Sequence, residues 1–463
     1  MAKGLPGNEE TMTQRMTVTR RQAFGAAAGM ASALLPAAAL RAQATLEPRL
    51  VIITSFSRDV TTPFVQAFER RNPGTKVEVQ NRSTTAAVAF IRETRSSPPD
   101  LFWASAPDAF EVMKQNQLLA KPQINTTGIP ERIGAQPTHD PDGRYFGFAV
   151  SGYGMMYNTR YMRANRLPVP KEWADLKNPV YQNHVGISSP SRSGTTHLTV
   201  ETILQGEGWE PGWAQMLEIA GNFAQVSDRS FGVPDAVNSG QYGIGIVIDF
   251  FGFSAKASGF PVEFVYPSVT TLVPANIAMV EGSKAPNAAR AFIEFLLSPE
   301  GQEVLLDPKV MRLPVRPESY AKAPAGFPNP FKDSALGARV RFDNDVSETR
   351  YELLNSLFDR LITFRLRELT EAWKAVHAAE AALSKQENAE ARSLVAEARQ
   401  RLTRLPVTEA QAKDPAIAGA FQPTRPDRPA GPRQAQLEEE WDRAAVANYA
   451  EAKQLADRAQ RAR

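Results

Sequence analysis

Residues 50–79 read LVIITSFSRDVTTPFVQAFERRNPGTKVEV. The apolar run 50–54 has the length of a buried strand. Over 61–71, Phe64, Val65 and Phe68 fall on one helical face, and Pro73 and Gly74 then turn the chain into a second strand at 76–79. The unit repeats at once. Ser83, Thr84 and Thr85 cap a helix carrying Val88, Phe90 and Ile91, Pro98 and Pro99 end it, and a third strand at 100–103 leads to a third helix at 106–116. Strands alternating with helices of this length build a parallel sheet, and such sheets bind ligands beyond the carboxyl ends of their strands. The polar turns at those ends hold Ser55 and Arg58, Ser83 and Thr84, and Ser105, which are expected to face one crevice.

A second α/β unit spans 147–267, with strands expected at 148–150, 154–157, 185–187 and 244–248. The chain returns through a strand at 275–280, a helix at 287–297, and a further helix opened by Ser298 and Pro299. Two α/β lobes joined by two chain crossings imply a hinge and a cleft. The expected organisation is a first lobe from 45–146 and 268–330, a second from 147–267, a helical extension over 331–422, and a linker with a terminal charged helix over 423–463.

Between the strand 185–187 and the helical pattern of Val200, Ile203 and Leu204 lies SSPSRSGTTH, residues 188–197. Hydroxyls and unpaired amides crowd a helix N-terminus there, a setting that holds phosphate or carboxylate through N–H donors and the helix dipole. The same residues also suit a plain Ser/Thr cap. In the anion reading Ser193, Thr195 and Thr196 supply hydroxyls, the amides of 194–196 point at the ligand, and Gly194 lets the backbone come close. His197, on the same helix face as Ser193, either joins them or is structural. Asp249, ending the apolar strand 244–248, either accepts hydrogen bonds from solute hydroxyls or caps the turn that follows.

Thr19-Arg20-Arg21-Gln22-Ala23-Phe24 precedes an alanine-rich apolar run over 25–40 and then Ala42-Gln43-Ala44, which resembles a twin-arginine signal peptide occupying 1–44. An exported, periplasmic protein beginning near Thr45 is expected. The chain contains no cysteine, which excludes disulfides, thiolate metal sites and a cysteine-linked lipid anchor. With 463 residues, 43% of them hydrophobic, it can bury more than one core. Its 53 basic and 50 acidic residues are too evenly spread to favour nucleic acid. Gly-x-Ser-x-Gly, His-Glu-x-x-His and Walker motifs are missing, and neither a cofactor nor a metal site is expected.

Asn72-Pro73-Gly74-Thr75-Lys76-Val77, Pro99-Asp100-Leu101-Phe102, the crossing at 152–158 and AFIEFLLSPEGQ at 291–302 together resemble the type 2 periplasmic solute-binding proteins, over about 48–318. The resemblance implies the two-lobed fold of that family and a receptor for an ABC importer, its lobes closing on one solute by hinge motion. PSRSGTTH at 190–197, RSFGVP at 229–234 and IDFFG at 248–252 look like its ferric-ion and sugar-phosphate branch. Ferric receptors of that branch carry adjacent tyrosines near the place of Phe250 and Phe251, and phenyl rings ligate no metal. The solute implied is a small organic anion, an organophosphate or phosphonate such as phosphoglycerate or a sugar phosphate, with ferric ion or an iron chelate as the alternative. Arg229, just before a helix whose first turn suits Pro234, becomes the cationic clamp. Arg58 reaches in from the first lobe or is simply solvated. The implied partners are the solute, the permease of the ABC transporter and a membrane sensor kinase.

A periplasmic phosphate-ester hydrolase is the competing class, although His139, His184, His197 and His377 are scattered and Ser193 with His197 makes no triad. Beyond the region of resemblance, Ser347 is expected to cap a helix over 348–384 with Leu353, Leu354, Leu357, Phe358, Leu361 and Ile362 in one stripe. A helix over 388–405 follows, and after a Pro/Arg linker a charged helix over 437–461 shows a thin face of Trp441, Ala445, Tyr449 and Leu455. These helices either pack on the second lobe or form a docking arm for a sensor kinase or transporter subunit.

Overall fold

The computed structural model describes residues 45–133, 136–333, 336, 340–384, 388–421 and 431–462. The expected signal peptide and most of the expected linker lie outside the described residues. The opening stretch folds as read: β1 (Arg49–Thr54), α1 (Arg58–Arg71), β2 (Lys76–Asn81), α2 (Thr84–Glu93), β3 (Leu101–Ala104) and α3 (Pro107–Gln115). Both β2 and β3 run parallel to β1, which is buried from Leu50 to Thr54 because elements cover both of its faces. Phe64 and Phe68 reach from α1 onto Trp103 and Phe292, ring centroids 5.5 and 5.0 Å apart.

The chain continues through β4 (Tyr145–Asn158), β5 (Val185–Ser188), α4 (Gly194–Glu207), α5 (Trp209–Ala220), β6 (Phe223–Ser227), α6 (Gly232–Ser239), β7 (Ile244–Ile248), α7 (Asp249–Ala257), β8 (Val262–Val265), β9 (Leu272–Met279), α8 (Pro286–Leu297), α9 (Pro299–Val304) and β10 (Leu313–Pro314). Strand order is β2-β1-β3-β9-β4-β7-β5-β6, with β8 and β10 also paired to β4. Two parallel sets, one per lobe, are thus joined through the antiparallel crossing strands β4 and β9.

The sequence suggested two short strands at 148–150 and 154–157, whereas β4 is one strand of 14 residues. Its first part pairs with β9 and its second, from Tyr153, with β7, so one strand belongs to both lobes. Gly152 and Gly154 do not interrupt it. They make room: a Cβ on Gly152 would lie 2.8 Å from the Tyr266 ring, and one on Gly154 2.2 Å from the Val265 carbonyl oxygen.

The single helix expected over 348–384 is instead α10 (Asn344–Thr349), α11 (Tyr351–Phe358), a π-helical turn (Asp359–Thr363) and α12 (Leu366–Leu383). Asp343, not Ser347, is the N-cap, its carboxylate accepting from the Asp345 and Val346 amides. After α13 (Ala389–Leu402) and two short helices, α14 (Pro432–Arg461) begins before the expected position and runs for 30 residues. Its stripe is wider than the sequence suggested, burying Leu437, Trp441, Ala445, Tyr449, Ala452, Ala456 and Ala459, while Leu455 is only half-buried. This stripe packs against α12 and α13, and Phe421 stacks on Trp441 at 5.1 Å. One core joins Ile187, Trp209, Trp213 and Ile244 of the second lobe to Phe358, Trp373, Leu394 and Trp441 of the extension, so the extension packs on that lobe. A second core around Ile52, Phe64, Trp103, Phe148 and Phe292 fills the first lobe and takes in Leu198, Ile248 and Phe250 of the second.

The segment 340–350 lies across both lobes. On the first-lobe side, Gln136 Nε2 donates to the Phe342 carbonyl at 2.6 Å and the Ser347 hydroxyl to Asp108 Oδ2 at 3.1 Å. On the second, the Asp343 amide donates to Gln205 Oε1 at 2.7 Å, and Arg350 grips Glu201 with two bonds of 2.6 and 3.1 Å.

Candidate functional site

The cleft forms where the carboxyl ends of β1 and β3 meet those of β5, β6 and β7. Ser55, Phe56 and Ser57 follow β1, Thr84 opens α2, and Ser105 follows β3. Arg192 to Thr195 approach from the start of α4, Arg229 to Phe231 from the start of α6, and Phe250 and Phe251 from α7. The cavity between them is only about 20 Å³, room for roughly one water. The lobes touch across it. Thr85 Oγ1 donates to the Ser191 carbonyl at 3.0 Å, and Arg229 Nη2 donates to Asn81 Oδ1 at 3.1 Å and the Arg82 carbonyl at 3.4 Å. Gly194 is required by this closure, since a Cβ there would sit 2.6 Å from the Ala106 Cβ. The arrangement is a closed cleft. A groove of about 330 Å³ shares Ser57, Phe231, Phe250 and Phe251 with it and widens towards Pro234, Ser254 and Phe260.

Ser193 is the N-cap of α4, with its hydroxyl accepting from the Thr196 amide at 3.2 Å. The Thr196 amide is therefore not offered to a ligand, and its hydroxyl is bonded to Ser188 Oγ. That leaves the amides of Gly194 and Thr195, the first two of the helix, as its open donors, backed by the positive end of the dipole. Half-buried Arg229 lies beside them with its guanidinium 5.0 Å from the Phe231 ring centre, and burial lowers its pKa from the ordinary arginine value. A helix start facing an arginine at strand ends can hold an anion by charge-assisted hydrogen bonds.

Of the residues singled out from sequence, Ser55, Thr84, Ser105, Ser193, Gly194, Thr195 and Arg229 come together in the cleft. Arg58, Ser83, Thr196, His197 and Asp249 do not line it. Arg58 points from an exposed position at the start of α1, and Ser83 spends its hydroxyl capping α2 through the Ala86 amide at 3.3 Å. His197 is fully buried and turned towards the extension: Nδ1 is 2.9 Å from Asn355 Oδ1, while Nε2 is 3.1 Å from Ser347 Oγ and 3.2 Å from Asp108 Oδ2. Asp249 is also buried, and its carboxylate already accepts from the Gly152 amide at 2.7 Å, the Tyr266 hydroxyl at 2.8 Å and its neighbour Phe250 at 2.7 Å. Burial raises its pKa to about 6 against the pull of these donors and of Arg312. It ties α7 to the crossing strand β4 and leaves no acceptor directed at a solute.

Sequence reasoning missed Arg312. It is fully buried, lies 4.4 Å from the Phe56 ring centre and 3.7 Å from that of Phe250, and donates from Nη2 to Ser105 Oγ at 3.3 Å. Its Nε and Nη1, and the nearby Tyr153 hydroxyl, have no hydrogen-bond partner among the described residues. Burial pushes the guanidinium pKa down to about 9, with the Asp249 carboxylate working the other way, so it remains cationic at neutral pH. An unpaired buried donor typically costs about 1–3 kcal/mol, more when charged. Met311, just before it, holds a φ of 44°, a conformation that non-glycine residues seldom adopt. Nothing in Met-Arg-Leu-Pro distinguishes such an arginine from a solvated one. The aromatic lining from Phe56 and Phe231 was likewise not foreseen. Among the described residues, no group of three or more His, Asp or Glu could hold a metal ion.

Comparison with known proteins agrees with this geometry. The family described as bacterial extracellular solute-binding protein matches residues 96–336. The phosphoglycerate transport regulatory protein PgtC of Salmonella typhimurium is 32% identical over 369 residues, covering 79% of this chain and 87% of that one. The periplasmic binding protein AfuA of Actinobacillus pleuropneumoniae, solved with fructose-6-phosphate bound, has a similar fold, with a TM-score of 0.59 at 20% identity over 67% of this chain and 98% of its own. Iron-bound HitA of Pseudomonas aeruginosa shares the fold at a TM-score of 0.52 and 18% identity, covering 63% and 96%.

Proposed function

Because the chain belongs to the bacterial extracellular solute-binding protein family, we propose that it captures a small organic anion, a phosphate or phosphonate ester, by closing its two lobes in the periplasm. The closed receptor presents that solute to the permease of an ABC importer or to a membrane sensor kinase. The observation that carries this reading is the open N-terminus of α4, with the Gly194 and Thr195 amides beside Arg229 in a cleft at the strand ends. A phosphate there meets oriented N–H donors, a helix dipole and a forked cation. The names of two similar proteins, one a phosphoglycerate transport regulator and one solved with fructose-6-phosphate, support the same solute class. No helix among the described residues is long and apolar enough to cross a membrane.

Titration calorimetry with 3-phosphoglycerate and fructose 6-phosphate tests the reading. Arg229→Ala is expected to weaken organophosphate binding by more than about tenfold, the worth of a charge-assisted hydrogen bond. An unchanged affinity removes Arg229 from the site, and no binding of any phosphate ester by the wild type removes the reading itself. Ferric ion is disfavoured because Phe250 and Phe251 place phenyl rings, not phenolates, on the cleft wall. Hydrolysis is disfavoured because Ser193 is occupied as a cap and His197 is turned away from it, so no base serves a nucleophile. Phosphate released from phosphoglycerate by purified protein would overturn that view.

A further inference from the structure

We infer that Arg312 is a second anion anchor of the cleft, so that the solute it takes carries two acidic groups, a phosphate or phosphonate at one end and a carboxylate or second phosphate at the other. The inference rests on the phosphate reading above and deepens it. Two similarly buried arginines give the contrast on which it turns. Arg350 is met by Glu201 with two hydrogen bonds, its carboxylate partner as dry as itself, and leaves only Nη1 unbonded. Arg312 has no ion-pair partner among the described residues, and its Nε and Nη1 are unbonded. The nearest acid, Asp249, has its oxygens engaged by Gly152, Tyr266 and Phe250. A buried guanidinium with no acid hydrogen-bonded to it is a donor set awaiting an acceptor.

Arg312 does not line the closed cleft itself but stands directly behind its wall. The residues that touch Arg312 are themselves cleft lining: Phe56 and Phe250 flank it and Ser105 takes its one hydrogen bond. Both rings lie against the guanidinium, within reach of a cation–π contact. The unpartnered Tyr153 hydroxyl adds a further donor at the same depth. Phe250 belongs to the second lobe and Phe56 to the first, so opening the lobes separates the rings and bares the cation to water. Closing without solute buries it unpaired, whereas closing on a second acidic group satisfies it. Arg312 thereby couples closure to the arrival of a diacid. Arg229 and the start of α4 hold one end from the second lobe; Arg312 receives the other.

The test compares 3-phosphoglycerate with glycerol 3-phosphate, which differ by a carboxylate against a hydroxymethyl group. Calorimetry on the wild type is expected to show the diacid bound at least about thirtyfold more tightly. Arg312→Gln is expected to bring the two within about threefold by weakening the diacid alone. Arg312→Met in the absence of ligand is expected to melt no lower than the wild type, because an unpaired buried charge is replaced by an apolar side chain; a residue that merely held the fold would show a lower Tm. Equal affinities in the wild type overturn the inference without need of any variant, as does an Arg312→Gln protein that loses both ligands equally. If glycerol 3-phosphate binds and the diacid binds no better, the phosphate reading stands and the second anchor falls. If neither binds, both fall.

Discussion

His197 shows how a polar residue next to a ligand cleft is claimed by the packing behind it. Its spacing from Ser193 places both on one helical face, and that much was readable; the ring nevertheless swings to Asp108, Ser347 and Asn355, which come from residues distant in the chain. Burial opposes the charged imidazole, yet the Asp108 carboxylate, with Glu201 and Asn355, outweighs it and holds the pKa above the ordinary histidine value. A folded-state pKa above the unfolded one contributes stability that is complete below the unfolded value, about 6.5, and is lost as pH rises through the folded value. Glu348, raised to about 7 by burial and then by neighbouring carboxylates, and Glu352, raised by burial, act in the same direction, since charging them costs stability. Tm followed by calorimetry is therefore expected to fall as pH rises above about 6.5, and His197→Gln to flatten that slope. A Tm that rises over this range, or a slope unchanged in the variant, contradicts the account. Arg229 could be picked out from sequence because it stands at a helix entry. Arg312 could not, because what marks it is missing partners, and partners are a property of the fold.

Among the elements, the strands and helices of the two lobes followed from periodicity, and the errors have local causes. The strands at 148–150 and 154–157 were read as two, but they are one strand in which Gly152 and Gly154 each fill a place where a side chain would strike β8 or the residues just after it. The helix expected over 348–384 kept its apolar stripe through a π-helical turn, so periodicity continued where the geometry did not. Arg350 stands at the joint between α10 and α11, tied to Glu201 of α4 and 4.6 Å from the Trp209 ring centre. Glu201→Ala leaves that guanidinium buried and unpaired, and is expected to cost about 3–5 kcal/mol in urea unfolding. A loss below about 1 kcal/mol, the range of an exposed pair, would show that water reaches Arg350 and that the joint is looser than its burial indicates.

At the scale of the whole molecule, the sequence offered two roles for the terminal helices, and the shared core decides how they pack. Trp441, Tyr449 and Leu437 of α14 complete the same core as Trp209 and Trp213 of the second lobe, and the Tyr449 hydroxyl donates to the Leu361 carbonyl at 2.8 Å. Packing on the second lobe was one of those two expectations; which residues complete the shared core was not legible, because an amphipathic stripe does not name its partners. Ending the chain after residue 422 uncovers these apolar faces and is expected to lower Tm by more than about 5 °C, given about 1.5–3 kcal/mol for each large side chain exposed. The affinity of the folded remainder for its solute, measured beside it, is expected to stay the same. An unchanged Tm would instead mark α14 as an arm free to dock elsewhere.

Ser347 stands between Asp108 of the first lobe and His197 of the second, all three fully buried. Parting the lobes in the proposed closure means dissolving this dry triad before water can replace its bonds, which places part of the barrier to exchange in the protein itself. If the proposed cleft closure captures the solute, capture is gated: at high solute concentration the association rate is expected to level off at the opening rate of the cleft, and the receptor keeps its own time between loading and release.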